Sequence, residues 1–347
     1  ELRDARTGPA PVMVDLAETL VSMVDHADWA MFCKNGTDAT SMAVMAARAQ
    51  TGRRIVLMAE GAYHGAAAWC TPVPAGVVAE DRAWQRPYRY NDVASLEAAV
   101  AAAGDDLAAI IASPFKHDVF IDQELPDRDY AQRVRELCDQ TGAMLVIDEV
   151  RAGFRITRDC SWSLVGVKPD LSCWGKSIAN GQPISALLGA DSCRKGAGDI
   201  YVTGSFWFAA VPMAAAIETL RILRETDYLE HMVLLGGKLR AGLDAAARRH
   251  GFALRQTGPV QMPLIMVEQD PDLRIGYAWT EEMLARGVYM HPWHNMFLCA
   301  AMTEADIDLA IAAAEEAFAA VAARLEKLVP SAMLMALLSA HAPEPVA

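Results

Sequence analysis

The sequence predicts an α/β protein with a mostly parallel sheet and a second, smaller domain. Short apolar runs of strand length, at 55–58, 107–112 and 143–147, alternate with longer segments of helical period. These runs are apolar throughout, which is typical of parallel strands that are buried on both faces. The chain has 347 residues, more than one hydrophobic core usually accommodates, so two domains are expected.

The first two thirds of the chain follow this alternation of strands and helices. Helices are predicted at 14–24 and 38–49, with a brief apolar run at 30–32 between them, and a buried strand follows at 55–58. The pattern then repeats as a helix at 96–103, a strand at 107–112, a helix at 127–141 and a strand at 143–147.

From Met213 onward the sequence changes to long helices rich in Ala, Leu and Arg. We predict helices at 213–224 and 229–250, strands near 262–266 and 288–299, and a last helix that begins at Thr303, with Asp306 in a capping-box position. The predicted organisation is a large domain over residues 1–217, a small α+β domain over 218–330 and a C-terminal tail over 331–347.

Composition and charge exclude several classes of function. Hydrophobic residues make up 53% and charged residues 22% of the chain, with a mean hydropathy of +0.14. This is too apolar for a disordered chain and too interrupted by charge for a membrane protein. The net charge of −13 lacks the positive field with which proteins bind nucleic acid. We therefore expect small-molecule chemistry, with no nucleic-acid or membrane partner.

The cysteines and the first residues bear on the compartment and the extent of the chain. Seven widely spaced cysteines without a C-x-x-C pair favour a reducing cytoplasm over a disulfide framework or a zinc ribbon. The chain begins at Glu1, and residues 1–8 carry no signal-peptide pattern. We expect this start to be an interior position of a longer protein.

Two charged residues stand where a buried strand or an apolar segment ends. Asp148 follows the apolar run 144–147, so it is expected at the carboxyl edge of the sheet, where open α/β folds bind ligands. The alternative is a cap on the next element. Lys176 follows an apolar stretch and Gly175, a setting that suits a Schiff-base lysine, although an ordinary surface lysine is the simpler interpretation.

Two glycine-containing segments could bind the remaining parts of a ligand. Gly36 and Thr37 open a predicted helix, whose N-terminus favours a phosphate, although the same residues could serve only as a helix start. Tyr63 lies in Gly61-Ala62-Tyr63-His64-Gly65, just past a strand, where its ring could stack on a planar ligand or fill a turn.

Together these four features fit pyridoxal 5'-phosphate (PLP). This cofactor needs a lysine for its Schiff base, a carboxylate at its ring nitrogen, donors for its phosphate and a surface against its ring. Each of the four requirements has a candidate in this sequence.

The set also resembles the class III (subgroup II) aminotransferases of PLP fold type I. The family's Ser-Gly-Thr-Glu-Ala, Tyr-His-Gly, Asp-Glu-Val and Gly-Phe-Arg motifs are similar to Asn35-Gly36-Thr37-Asp38-Ala39, Tyr63-His64-Gly65, Asp148-Glu149-Val150 and Gly153-Phe154-Arg155. Its lysine segment is similar to Pro169-Asp170-Leu171, Gly175-Lys176 and Gly181-Gln182-Pro183-Ile184. The resemblance spans residues 13–328.

The resemblance implies a role for each matching residue. Lys176 would form the Schiff base with PLP and move the proton between substrate and cofactor carbons, and Asp148 would hold the ring nitrogen. Val150 and Tyr63 would face the two sides of the ring, and Gly36 with Thr37 would bind the phosphate.

The resemblance also implies a homodimer with its active site at the interface. In the family a Gly-Thr-Phe element of the neighbouring subunit reaches the phosphate, and Gly204-Ser205-Phe206 is similar to it, with Thr203 as a second candidate. The sequence departs from the family pattern at Asn35, Asp38 and Ser113, the last standing where many members carry Glu. The family has a further N-terminal segment that this sequence does not include. We therefore expect the large domain to lack its N-terminal part here.

Within the family the sequence looks closest to glutamate-1-semialdehyde aminomutase-like proteins. Residues 203–208 and 291–295 are also similar to pyruvate-dependent aminotransferases that act on fumonisin-type amines. We therefore expect transamination between a primary amine, bulky or long-chain, and a keto acid such as pyruvate. The alternatives are an intramolecular aminomutase and, more remotely, a non-catalytic binding protein. A metal site at His291 and His294 is disfavoured because Pro292 interrupts the spacing and no Cys or carboxylate stands nearby.

Overall fold

A computed structural model describes residues 10–341, which form two compact units. The first unit comprises the chain up to Lys116 and the segment Glu124–Asp227. The second comprises His117–Gln123 and the chain from Tyr228 onward. The predicted domain limits after residues 217 and 330 stay predictions.

A seven-stranded sheet forms the centre of the first unit. Its strands in chain order are β1 (Trp29–Cys33), β2 (Ile55–Ala59), β3 (Gln85–Tyr88), β4 (Leu107–Ala112), β5 (Met144–Asp148), β6 (Leu171–Trp174) and β7 (Ser185–Gly189). Their order across the sheet is β1-β7-β6-β5-β4-β2-β3. Only β7 runs antiparallel to its two neighbours, and the other pairs are parallel. The mostly parallel sheet of the predicted α/β class is confirmed.

Helices cover both faces of this sheet. They are α1 (Pro11–Met23), α2 (Gly36–Thr51), α3 (Val93–Ala103), α4 (Arg128–Thr141), α5 (Arg194–Asp199) and α6 (Ala210–Glu225). Alternate residues of one strand enter two separate cores, since Leu145 and Ile147 of β5 pack with α1, α3, α4 and α6, whereas Val146 packs with α2 and α5. Burial on both faces explains why the central strands are apolar at every position.

The second unit combines four helices with a two-stranded antiparallel sheet. Its elements are α7 (Tyr228–Arg249), β8 (Leu254–Thr257), β9 (Leu264–Val267), α8 (Arg274–Ala285), α9 (Glu304–Ala322) and α10 (Ala332–His341). The rings of Trp279 and Phe318 stack in its core with their centroids 5.1 Å apart. The capping box predicted for α9 is present, because the Asp306 carboxylate accepts the Thr303 N–H at 2.7 Å. Among residues 10–341, no helix is both long and apolar enough to cross a membrane.

The strand predicted at 288–299 is wrong. The described segment carries no strand, because its backbone N–H groups do not form a ladder. Pro292 has no N–H, and the His291 Nδ1 atom accepts the N–H groups of Trp293 and His294, which turns the chain. The N–H groups of Met296 and Leu298 bond to the segment before β9.

Candidate functional site

The ends of two neighbouring parallel strands place the predicted aspartate and lysine at the same edge of the sheet. Asp148 is the last residue of β5 and pairs with Cys173 of β6. Lys176 follows the end of β6 by two residues and starts a short 3₁₀ turn. This is the carboxyl edge of the sheet, where α/β folds bind their ligands.

A histidine from the loop after β2 fixes the Asp148 carboxylate. The His64 Nδ1 atom lies 2.8 Å from Asp148 Oδ2, and the N–H of Val150 donates to Asp148 Oδ1 at 3.1 Å. The Thr40 hydroxyl donates to the His64 carbonyl at 2.7 Å, which holds the histidine in place. Both oxygens of the buried carboxylate are therefore oriented by the protein.

Sequence reasoning did not assign a role to His64. In Tyr63-His64-Gly65 the sequence predicts a ligand contact for the Tyr63 ring alone. A histidine in the loop after a strand that ends at the same edge as Asp148 was the available signal. The pairing itself depends on the order of the strands, which the local sequence does not contain.

The Lys176 amine lies in surroundings that favour its neutral form. Burial is the main cause that lowers its pKa, the positive charges of Arg151 and Arg155 act in the same direction, and the Asp148 carboxylate opposes them. Lys176 has a φ of 45°, a left-handed conformation that is uncommon outside glycine. An amine with a lowered pKa can accept a proton near neutral pH.

The start of α2 offers backbone donors for an anion. Asn35 precedes the helix, and the Asp38 carboxylate accepts the Asn35 N–H at 2.9 Å. The N–H groups of Gly36 and Thr37 belong to the first turn, where an α-helix has no internal acceptor for them. With the helix dipole, these groups favour a phosphate at this position.

Close contacts join the start of α2 to the segments that follow β2, β5 and β6. A Cβ atom on Gly36 would lie 2.4 Å from Val150 Cγ1, and one on Gly175 would lie 3.4 Å from the same atom. A Cβ on Gly65, which has a φ of +126°, would lie 2.5 Å from Thr37 Oγ1. Only glycine therefore permits this approach, and Val150 forms a buried apolar surface between the helix start and the lysine turn.

The residue set fits PLP. It supplies a lysine with a lowered pKa, an oriented carboxylate, an apolar surface at Val150 and free backbone donors at the start of α2. These are the four requirements that the cofactor makes of its protein.

Three further predicted residues lie in exposed loops. The Tyr63 side chain, in the loop after β2, is 40% exposed. Thr203 and Ser205 are exposed in the segment between α5 and α6. Among the contacts described for residues 10–341, none joins Thr203 or Ser205 to Asp148 or Lys176, so their predicted phosphate contact stays a prediction.

Glu149 is a second buried carboxylate that sequence reasoning left without a role. It accepts hydrogen bonds from the Ser161 N–H, the Ser161 hydroxyl at 2.7 Å and the Cys160 thiol at 3.3 Å. Burial raises its pKa to about 7, against the effect of these hydrogen bonds. Glu149 therefore ties the segment at 160–161 to the end of β5, next to Asp148.

Residues 291–295 pack against other residues of the second unit. The Trp293 ring stacks on Phe120 with centroids 4.3 Å apart, and its Nε1 donates to the Tyr277 hydroxyl at 2.9 Å. The His291 Nδ1 atom accepts backbone N–H groups. Within residues 10–341, no three His, Cys, Asp or Glu residues are grouped to hold a metal ion.

The fold and the lysine and aspartate at its carboxyl edge define a PLP-dependent enzyme of amine transfer. A family model for class-III aminotransferases matches residues 9–318, and the chain belongs to this family. It is an aminotransferase, and its cofactor is PLP. The predicted family, fold, enzyme class and cofactor are confirmed.

Individual relatives within and around this family are also similar to the chain. The chain is 58% identical over 339 residues to the aminopentol aminotransferase of Sphingopyxis macrogoltabida, covering 98% of this chain and 80% of that protein. A glutamate-1-semialdehyde 2,1-aminomutase of Heliobacterium modesticaldum is 34% identical over 346 residues, covering 92% and 79%. The solved PLP internal aldimine form of the FumI protein of Sphingopyxis sp. MTA144 superposes with a TM-score of 0.95 at 58% identity, covering 96% of this chain and 80% of that one.

Proposed function

We propose that this aminotransferase transfers nitrogen from a bulky or long-chain primary amine to a keto acid such as pyruvate, with Lys176 as its catalytic residue. The observation that carries the proposal is the lysine with a lowered pKa beside Asp148 at the carboxyl edge. The identity of 58% to an aminopentol aminotransferase supports an amine of this class, whereas the aminomutases are much more distant.

Bound PLP supplies an aldehyde that takes up the amino group and a ring that accepts the electrons of the substrate carbon. In our proposal, Asp148 keeps a proton on the ring nitrogen, and His64 keeps the Asp148 carboxylate in orientation. The N–H groups of Gly36 and Thr37 bind the phosphate. Val150 would support one face of the bound ring, and Tyr63 would support the other.

Lys176 moves the proton that transamination requires. With PLP bound, its neutral amine would accept the proton that leaves the substrate carbon and would hold it for return. Burial and the charges of Arg151 and Arg155 lower the pKa of Lys176 and so favour its neutral amine, the form that accepts a proton. Asp148 limits the decrease of this pKa, which keeps the amine basic enough to accept the proton.

A half-reaction screen tests the proposed substrates. PLP-loaded enzyme is mixed with a panel of short, bulky and long-chain amines without keto acid, and the visible absorption of the protein is followed. We expect long-chain amines to remove the absorption and pyruvate to restore it. An enzyme that converts substrate without any keto acid, or that responds to no amine, contradicts the proposal.

Two lysine variants provide the matched control for this screen. Lys176→Ala is expected to bind PLP without the absorption band of the lysine Schiff base and to lose transamination by at least about 10³-fold. Lys195→Ala changes an exposed lysine that pairs with Asp199 on α5, and it should respond as the wild type does.

We also propose a homodimer in which Ser205, with Thr203 as the second candidate, completes the phosphate site of the other subunit. Two aromatic side chains beside these residues support a covered surface, because Tyr201 is 87% and Phe206 is 65% exposed in the single chain. Exposed aromatic residues of this size commonly mark protein interfaces.

Hybrid dimers test this arrangement. Thr203→Ala combined with Ser205→Ala is expected to bind PLP more weakly, and Lys176→Ala is inactive. If both groups serve one site across the interface, a hybrid of the two variants regains one complete site, and mixing restores activity. Absence of restoration in a mixture that forms hybrids, checked by light scattering and affinity tags, contradicts the shared site.

We propose that the protein works in the reducing cytoplasm. All seven cysteines are free thiols, and six of them are buried. Burial raises the pKa of the Cys70 thiol to about 11, which makes it unreactive. Fractionation of cells that express the full protein should recover it with cytoplasmic markers, and recovery with periplasmic markers contradicts this proposal.

A further inference from the structure

Two buried polar atoms at the carboxyl edge have no hydrogen-bond partner among the described residues. They are His64 Nε2 and Ser113 Oγ. His64 is 1% exposed and Ser113 is 4% exposed, so bulk water does not reach either side chain. An unpaired buried polar atom costs about 1–3 kcal/mol, and such atoms are usually satisfied by an ordered water or a ligand.

The strand order brings these two side chains together. β4 lies between β2 and β5 in the sheet. His64 lies in the loop after β2, and its ring reaches Asp148 at the end of β5, so the loop and ring together extend past the end of β4. Ser113 is the first residue after β4, and the Ala112–Ile147 pair before it sets Ser113 beside Asp148. From this register and strand order we infer that the Ser113 hydroxyl lies near the His64–Asp148 pair.

The backbone at Ser113 is held firmly. The Tyr90 hydroxyl donates to the carbonyl groups of Ser113 and Pro114 at 3.3 Å, and Trp162 Nε1 donates to the Pro114 carbonyl at 3.1 Å. Tyr90 and Trp162 are themselves buried. These bonds hold the backbone at Ser113 and Pro114 in place.

The chemistry of the two atoms is complementary. Nδ1 of His64 faces a carboxylate, so a proton on Nδ1 can be donated to it, and in that tautomer Nε2 is an acceptor. No hydrogen bond joins Nε2 directly to Ser113 Oγ. A single water could bridge them with two hydrogen bonds of about 2.8 Å each, donating to Nε2 and accepting from the hydroxyl.

We propose that one ordered water connects Ser113 Oγ to His64 Nε2, and that Ser113 thereby acts as a positioning residue for the His64–Asp148 pair. The relay Ser113–water–His64–Asp148 holds the histidine in one tautomer and fixes the carboxylate. The functional part of this inference rests on the proposed role of Asp148 at the PLP ring nitrogen.

Crystallography and histidine NMR test the relay together. A high-resolution structure of the PLP-loaded enzyme should show a water between the two atoms. In protein labelled with ¹⁵N-histidine, with the His64 signals assigned through His64→Gln, the proton should reside on Nδ1. Ser113→Ala should accelerate exchange of this proton about fivefold and weaken PLP binding about fivefold, the loss of one hydrogen bond of about 1 kcal/mol. Ser113→Thr keeps a hydroxyl and should restore both properties.

Ser172→Ala is the matched control. The Ser172 hydroxyl lies 3.0 Å from His26 Nε2 and is fully buried, so its removal should change the His26 signals and leave those of His64 unchanged.

The relay is refuted by a well-ordered map without a bridging water, or by His64 signals that are the same in Ser113→Ala and the wild type. It is also refuted if addition of PLP shifts Nε2 equally in both proteins, because the cofactor would then be the partner. Failure of the proposed function looks different: the enzyme responds to no amine while the effects of Ser113→Ala on His64 remain.

Discussion

The first unit contains two buried histidines whose partners differ. His26 packs on one face of the sheet, where its Nε2 lies 3.0 Å from the Ser172 hydroxyl, and burial lowers its pKa to about 4. His64 lies at the carboxyl edge, with Nδ1 at 2.8 Å from the Asp148 carboxylate. His26 has a neutral partner, stays uncharged and serves packing. His64 has a carboxylate partner, whose orientation it fixes. Depth of burial is therefore a poor guide to function, and the partner group separates the two roles.

The largest expected effect comes from removing the charge at the carboxyl edge. Asp148→Asn keeps the shape of the side chain but cannot stabilise a proton on the ring nitrogen. We expect kcat to fall about 10³-fold, or about 4 kcal/mol, with little change in the free energy of unfolding. Steady-state kinetics with an amine and pyruvate, and urea unfolding, measure the two quantities.

Asp170→Asn is the counterpart away from this edge. Asp170 precedes β6, where its Oδ2 accepts the Leu145 N–H at 2.7 Å and pairs with Arg135 at 2.8 Å. Its loss should lower the free energy of unfolding by about 1–3 kcal/mol and leave kcat within about twofold. If Asp170→Asn reduced turnover as much as Asp148→Asn does, the distinction between the edge and the rest of the sheet would be lost.

The pH dependence of stability tests the structural role of His26. Its pKa is about 4 in the folded protein and 6.5 ordinarily, so between these values the unfolded chain binds more protons. The contribution of His26 to stability is therefore present above pH 6.5 and is lost as the pH falls toward 4, by about 3 kcal/mol in total. Urea unfolding at pH 7, 5.5 and 4.5 measures this loss.

The difference between wild type and His26→Gln isolates the contribution of one histidine. Glu149, whose pKa is raised to about 7, acts in the opposite direction, because the folded protein then binds the additional proton as the pH falls. Both proteins share that contribution. The variant should show a flatter loss of stability in acid, and parallel curves for the two proteins would refute the assigned burial of His26.

Strands with a buried, apolar sequence could be predicted, and polar or short ones could not. The bounds predicted for β4 agree with the structure because all six of its residues are buried. β3 consists of Gln-Arg-Pro-Tyr at the edge of the sheet, where one side is unpaired and a proline is tolerated, so it carries no such pattern. β6 and β7 are also buried, but each contains a serine and they flank the lysine turn, whose glycines interrupt the apolar pattern.

Some residues of the site could likewise be predicted from the sequence, and others could not. Asp148, Lys176 and Gly36 stand at ends of elements, so their positions could be inferred from the local sequence. The roles proposed for His64 and Ser113 could not, because they depend on β4 lying between β2 and β5 in the sheet. Strand order is a property of the assembled fold, and a single sequence read along the chain does not contain it.

Gly36→Ala tests the close approach at the start of α2. The added Cβ would lie 2.4 Å from Val150 Cγ1, so Val150 or the helix must shift. Overpacking of this kind costs about 1–3 kcal/mol. We expect PLP affinity to fall about 30-fold, or about 2 kcal/mol, as measured by equilibrium dialysis of the cofactor.

Gly52→Ala is the control at the other end of the same helix. Gly52 has a φ of +69°, and a Cβ atom at this position would have no neighbouring heavy atom within 4 Å. The substitution should cost about 1 kcal/mol of stability through backbone strain and leave the Kd for PLP unchanged. Equal losses of PLP affinity in both variants would show that α2 as a whole, rather than its start, supports the cofactor.

The smallest effect is expected from His64→Gln, and it tests the opening comparison directly. Glutamine can donate a hydrogen bond toward Asp148 but lacks the rigid imidazole ring that His64 places 2.8 Å from the carboxylate. We expect a decrease in kcat of about tenfold, or about 1.4 kcal/mol, with KM for the amine changed less than twofold. His26→Gln should lower stability at neutral pH and leave kcat unchanged, because its partner is a serine within β6. A decrease in kcat for both variants, in proportion to their loss of stability, would mean that both histidines only support packing. A decrease confined to His64→Gln would establish that the carboxylate partner makes the difference.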